Sequence, residues 1–136
     1  MPARSSFDYA VLRVVPRVER EEFLNAGVIL FCRARAFLAA RIALDERRLL
    51  AFEPELDADT LAEIRAHLDT IPRICAGERD AGPIARLSQA ARFHWLVAPR
   101  STILQPSPVH SGLCGDPAAA LDRLYAEMVQ PPPPTA

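Results

Sequence analysis

The chain has 136 residues, half of them apolar and 24 % charged; against roughly 100–200 residues per domain this predicts one globular domain over residues 1–130 and excludes intrinsic disorder, a collagen-like repeat and a coiled coil. Sixteen cations against seventeen acids leave a formal charge of -1, so no global field exists to hold a nucleic acid or an anionic membrane. Every cation is an arginine, which excludes Schiff-base chemistry and a Walker-type phosphate lysine.

From the N-terminus, Phe7 to Val15 is β-branched and aromatic-rich and stops at Pro16, the pattern of a strand covered on both faces. Arg13 is its odd member. Arg17 to Asn25 reads as a charged connection anchored by Phe23 and Leu24, with room for one helical turn, ending at Gly27. Val28 to Cys32 and Phe37 to Ile42 flank the polar break Arg33-Ala34-Arg35 as a β-hairpin, so three strands join one sheet. Asp45 is placed to cap a short helix through Leu49 and Leu50. A second helix starts near Asp57 or Asp59, where Thr60 and Glu63 have capping-box spacing. Leu61, Ile64, Leu68 and Ile71 recur at steps of three, four and three, a stripe for the sheet, with Glu63, Arg65 and His67 turned toward water.

Pro72 is expected to end or kink that helix. Ala76 to Gly82 reads as a polar turn and Ile84 to Ala91 as a weaker helix. Phe93 to Val97 and Ser101 to Gln105 read as two more strands around Ala98-Pro99-Arg100, and Pro106 to Gly115 as a loop. Asp116-Pro117 starts the last helix, whose apolar face is Leu121, Leu124, Tyr125 and Met128. Residues Pro131 to Ala136 read as a disordered proline-rich tail. The elements together predict an α+β fold, a three- to five-stranded antiparallel or mixed sheet with the Leu61 and Leu121 helices packed on one face.

No run approaches the ~18 apolar residues of a membrane span, and Met1 to Tyr9 lacks the apolar stretch of a signal peptide. The expectation is a cytoplasmic protein with no membrane partner. Cys32, Cys75 and Cys114 are spaced about forty residues apart, which fits neither a disulfide framework nor a CxxC knuckle, and they are expected to be buried free thiols.

The densest polar stretch is Arg100 to Gly112. Ser107 or Ser111 beside His110 has the residue types of an activated nucleophile, but no orienting carboxylate and no G-x-S-x-G elbow accompany them. The same hydroxyls and Gln105 can instead satisfy buried backbone groups in a proline-rich turn. Arg100 with Ser101 and Thr102 suits capture of a planar or phosphoryl oxygen pair. A second constellation runs from Arg17 to Asn25, where interleaved acids and bases read as a self-paired solvated surface or, alternatively, place Glu22 and Asn25 on a cleft. His67, His94 and His110 have no ligand spacing with one another or with these acids, so no metal and no cofactor are expected. Arg33, Arg35 and Arg41 with Phe31 and Phe37 offer a short basic and aromatic stretch, but alternation needs the aromatics inside, and nucleic acid is not the expected partner.

Two blocks, Tyr9-x-Val11-Leu12-Arg13-Val14-Val15-Pro16 into Arg20-Glu21-Glu22-Phe23-Leu24-Asn25-Ala26-Gly27-Val28-Ile29-Leu30, and Arg92-Phe93-x-Trp95-Leu96-Val97-Ala98-Pro99-Arg100-Ser101-Thr102 through Ser107-Pro108-Val109-His110-Ser111-Gly112, resemble a bacterial domain-of-unknown-function family, number three-zero-three-seven in its series. The resemblance covers about Phe7 to Met128. Asn25-Ala26-Gly27 stands where relatives often carry Asn-Val-Gly. The resemblance implies stand-alone bacterial cytosolic proteins and no particular activity, and it implies kinase-fold toxin relatives encoded nearby as candidate partners.

In these blocks Gly27 suits a turn or bulge, Arg13 needs a partner for which Glu22 is the candidate, and the Arg100 to Gly112 loop is expected beside Asn25 and Gly27 in one cleft. The predicted function is a non-catalytic interaction or regulatory module with a protein partner. The competing reading is a small enzyme for a phosphorylated or nucleotide-like ligand, with Arg100 as anion clamp and His110 as acid or base. The candidate ligand or interaction residues are Arg13, Glu22, Asn25, Arg100, Ser101, Thr102, Ser107, His110 and Ser111.

Overall fold

The computed structural model describes residues 3–131; beyond Pro131, the expected tail lies outside the described residues. Five antiparallel strands form one sheet: β1 (Ser5–Val14), β2 (Leu24–Cys32), β3 (Phe37–Ile42), β4 (Leu104–Pro106) and β5 (His110–Cys114). Their order is β3-β2-β1-β4, and β5 pairs with the other half of β1. Four α-helices accompany them among the described residues, α1 (Glu46–Phe52), α2 (Ala58–Ala76), α3 (Gln89–Leu96) and α4 (Pro117–Met128). The architecture is α+β.

The helices lie on both faces of the sheet, which corrects the expectation of a single covered face. Val28, Leu30 and Cys32 pack with Phe7 against Leu121 and Leu124 of α4, whereas Ile29 and Phe31 pack with Leu12 against Ile74 of α2 and Phe93 of α3. Alternate residues of a strand point to opposite faces. Ala26 through Cys32 are accordingly all buried, and an unbroken apolar run is what a strand covered on both sides requires.

Register shifts between β1 and β2, where Leu12 faces Gly27 but Arg13 faces Asn25, leaving Ala26 as the extra residue of a bulge. Gly27 belongs there because an added Cβ would come within 2.5 Å of the Ile42 side chain and 2.9 Å of the Arg41 carbonyl. The charged connection holds one 3-10 turn, Val18–Arg20, and the β2–β3 hairpin closes through another, Arg33–Arg35.

Asp45, Asp57 and Asp116 cap α1, α2 and α4 as their positions predict. The Thr60 amide bond also holds the Asp57 carboxyl below its ordinary range. α2 runs through Pro72 to Ala76 and ends at Gly77, whose φ of 74° makes the left-handed cap. An interior proline costs about 3 kcal/mol, and burial of Ile74 and Cys75 beyond it, at about 1.5–3 kcal/mol for a large apolar side chain, offsets that.

Two strand assignments are corrected. Phe93 to Leu96 belongs to α3 and Val97 is its C-cap; Ser88 caps the other end by accepting the Ala91 amide, and Phe93 and Leu96 lie one turn apart on the buried side. The Ser101 to Gln105 strand reduces to Leu104–Pro106. The expected loop at Pro106 to Gly115 instead contains β5, paired with Ser5 to Tyr9. Ser107 bridges the break between β4 and β5: its amide donates to the Val11 carbonyl at 2.7 Å and its hydroxyl accepts from the Val11 amide at 2.8 Å. No helix among the described residues is long and apolar enough to cross a membrane.

Candidate functional site

The α2 helix carries two stripes. Ile64 and Leu68 turn into the core, while Thr60, Glu63, His67 and Thr70, again at steps of three, four and three, line one wall of a cleft of about 450 Å³. The opposite wall is the Thr102 to Pro106 segment with Trp95 and Arg100. The floor is apolar, made by Leu12, Ile71, Ile74, Leu96 and Ile103. The sheet supplies Leu12 from β1, and β4 holds its place through pairing of Leu104 with Val14 and Pro106 with Leu12.

At the mouth, the Arg100 guanidinium lies 4.3 Å from the centre of the Trp95 ring and donates one bond of 2.6 Å to the Trp95 carbonyl. Trp95 is 41 % exposed. The Thr102 hydroxyl donates to the Leu104 carbonyl and the Gln105 amide to the Thr102 carbonyl, both at 2.8 Å. These are the local backbone bonds expected of a proline-rich turn, and Ser107, 4 % exposed, makes another.

The predicted site residues fall in separate places rather than in one cleft. Arg100 and Thr102 line the cleft, and Ser101 lies exposed between them. Arg13 and Asn25 face each other across β1 and β2. Arg13 stacks on the Phe23 ring at 4.1 Å, with its Nε buried and without a hydrogen-bond partner among the described residues. Glu22 pairs with Arg20 instead of Arg13, because both are exposed and only two residues apart. Asn25 donates its amide to the Met128 carbonyl at the end of α4, 2.9 Å away.

His110 stacks on Tyr9, ring centres 5.4 Å apart, on the sheet face that α4 covers. Ser111 donates to Asp8 at 2.6 Å, and no Ser–His hydrogen bond forms among the described residues. Glu22 and His110 lie toward opposite ends of β1: His110 is opposite Tyr9, and Leu24 is opposite Val14. Five residues of strand span about 17 Å. The alternation of side chains also puts Arg100, with Leu12, on the other side of the sheet from His110, with Tyr9.

A smaller depression of about 310 Å³ contains Glu22, lined also by Arg17, Arg20, Phe52 and Glu53. Here Glu53, 9 % exposed, accepts both Arg17 Nε and Nη2. Those hydrogen bonds hold the Glu53 carboxyl below its ordinary range against the opposing effect of desolvation. Cys32, Cys75 and Cys114 are free and buried as expected, and burial pushes the Cys75 thiol up to about 12. No group of three or more His, Cys, Asp or Glu among the described residues is arranged to hold a metal ion.

The cleft residues that motif reading missed are Thr60, Glu63, His67, Thr70 and Trp95. The four α2 residues signal themselves as a second 3-4-3 stripe beside the apolar one, but such a stripe normally marks a solvated face. No curated protein and no solved structure matches the chain. The family model described as "Protein of unknown function (DUF3037)" matches residues 9–129, nearly the whole chain, and the chain belongs to that family.

Proposed function

We propose that the protein is a non-catalytic binding module that holds an apolar or aromatic group with an acidic end, presented by a protein partner, in the cleft between α2 and β4. The observation that carries this reading is Arg100 laid on Trp95 at the mouth of an apolar-floored cleft. Arg100 uses one of its donors on the Trp95 carbonyl, which leaves most of the planar fork for a carboxylate or phosphoryl oxygen pair. An exposed cation–π stack is worth only about 0.5–1 kcal/mol, so the guanidinium can turn to a ligand at small cost. The cleft volume, about 450 Å³, lies inside the roughly 300–1,000 Å³ typical of binding pockets.

The group enters as a side chain rather than as an added strand. Along β4, Thr102 already occupies the Leu104 carbonyl and Pro106 has no amide to donate. The non-catalytic side of the reading rests on the hydroxyls and the imidazole of the Ser107 to Ser111 segment: Ser107 is engaged by backbone, Ser111 by Asp8, and His110 sits across the sheet from Arg100. Free buried thiols favour a reducing compartment, and we assign the cytoplasm.

Trp95 is the only tryptophan, so its emission reports on the cleft mouth. Titration with anilinonaphthalene sulfonate, an aromatic body with an anionic end, is expected to change that emission saturably. Arg100→Ala is expected to weaken the affinity by about tenfold or more, the loss of one charge-assisted hydrogen bond. No saturable change, or equal affinity in the variant, contradicts the reading.

A further inference from the structure

At the C-terminal end of α2 lies another depression of about 560 Å³, lined by Gly77, Arg79, Ala85 and Arg86. Behind its wall is the guanidinium of Arg92 from α3. A Cβ added to Gly77 would stand 2.4 Å from Arg92 Nη1 and 3.5 Å from Cζ, with the Ala85 carbonyl 3.7 Å away. The guanidinium therefore lies directly against a residue without a side chain.

Arg92 is only 8 % exposed, and its Nε has no hydrogen-bond partner among the described residues. Its one side-chain bond among the described residues is a long one, 3.4 Å from Nη1 to the Ala85 carbonyl. Arginine does not shed its proton, and a guanidinium buried without a counter-charge costs several kcal/mol.

The neighbouring groups do not neutralise it. Glu78 and Asp80 are both taken by Arg73, at 2.7 and 3.1 Å. Arg79, Arg86 and Arg92 form no salt bridge among the described residues. Cys75, the adjacent titratable group, stays a neutral thiol at physiological pH because burial raises it. The α2 C-terminus contributes a partial negative charge of roughly half a unit, which leaves a positive excess at the depression. Arg79 and Arg86 add two exposed cations at its rim.

We propose that this depression is an oxyanion site for a phosphoryl group, either free phosphate or the charged end of a small phosphorylated molecule. Arg92 is the fixed inner donor, and Arg79 and Arg86 close over the anion from the rim. Gly77 serves twice, as the left-handed cap of α2 and as the residue whose missing side chain lets Nη1 pack directly behind the lining of the depression. The site is separate from the α2–β4 cleft and shares no lining residue with it.

The test is thermal unfolding of the full chain, titrated with inorganic phosphate and with glycerol phosphate against sodium chloride at equal ionic strength. The expected result is a saturable rise in Tm with phosphate beyond the chloride control. Arg79→Ala and Arg86→Ala, both at exposed positions, are expected to keep the chloride Tm and to bind phosphate at least tenfold more weakly. Arg92→Met is expected to lose the phosphate response altogether. A Tm that follows ionic strength alone overturns the proposal, as does a phosphate response unchanged in the two rim variants. Tighter binding of glycerol phosphate than of phosphate supports a phosphorylated molecule as the occupant; equal binding supports the free ion.

Discussion

Single residues decide where the polar groups of this chain go. Ser107 is the clearest case, because at the break between β4 and β5 its hydroxyl takes the Val11 amide that no strand carbonyl reaches. Ser107→Ala leaves that buried donor unsatisfied, and it is expected to lower stability by about 1–3 kcal/mol, seen as a Tm drop of about 4 °C for each kcal/mol. Ser111→Ala, which removes only an exposed bond to Asp8, is expected to cost under about 0.5 kcal/mol. Equal losses in the two variants would contradict the assignment of Ser107 to the sheet. Arg13 makes a related point. A cation in an apolar strand calls for a carboxylate, but the bulge at Ala26 puts Asn25 opposite it and the Phe23 ring beneath its guanidinium. Sequence spacing does not reveal a bulge's effect on register, so the Glu22 partner expected for Arg13 is taken by Arg20.

Among elements, those announced by caps and by long apolar periodicity were legible. β1, the β2–β3 hairpin, α1, α2 and α4 stand where Asp45, Asp57, Asp116 and the strand patterns put them. Short segments were not legible, for two different reasons. Phe93-His94-Trp95-Leu96-Val97 has the composition of a strand, but Ser88 and the good helix formers after it start a helix upstream, and five residues are too few for a period to speak. β5, His110-Ser111-Gly112-Leu113-Cys114, has little strand propensity at all. Its pairing with Ser5 to Tyr9 makes it a strand, and that long-range contact leaves no local trace. The candidate site suffered from the same cause. Arg100 and Thr102 were identified from residue type, whereas the α2 wall that makes them part of a cleft depends on how α2 lies against β4.

For the molecule as a whole, the sheet separates the chemistry. α4 covers the face with Tyr9 and His110, while α2 and α3 cover the face that holds the cleft. The unbroken burial of Ala26 to Cys32 requires cover on both sides, against the one-sided packing expected of the Leu61 and Leu121 helices. Stability should follow the acids. Glu53 is held below its ordinary 4.5 by Arg17, and Glu46 likewise by Arg65. A carboxyl lowered in the folded state stabilises above its unfolded value, and that contribution is lost as pH falls through the folded value. Denaturant midpoints are therefore expected to be flat near neutrality and to fall below about pH 4.5. Glu53→Gln is expected to be less stable than the wild type at pH 7, with the difference narrowing in acid. A difference that widens in acid would contradict the Arg17–Glu53 account.

The most direct test of the α2–β4 cleft as the binding site is the map of amide chemical shifts in the 15N-labelled protein during titration with anilinonaphthalene sulfonate. The cleft account predicts saturable changes confined to the Thr60 to Ile74 wall, to Trp95 through Pro106 and to Leu12 on the floor, with α4 and β5 unmoved. Changes centred on β5 or α4, or spread without a focus, would contradict it.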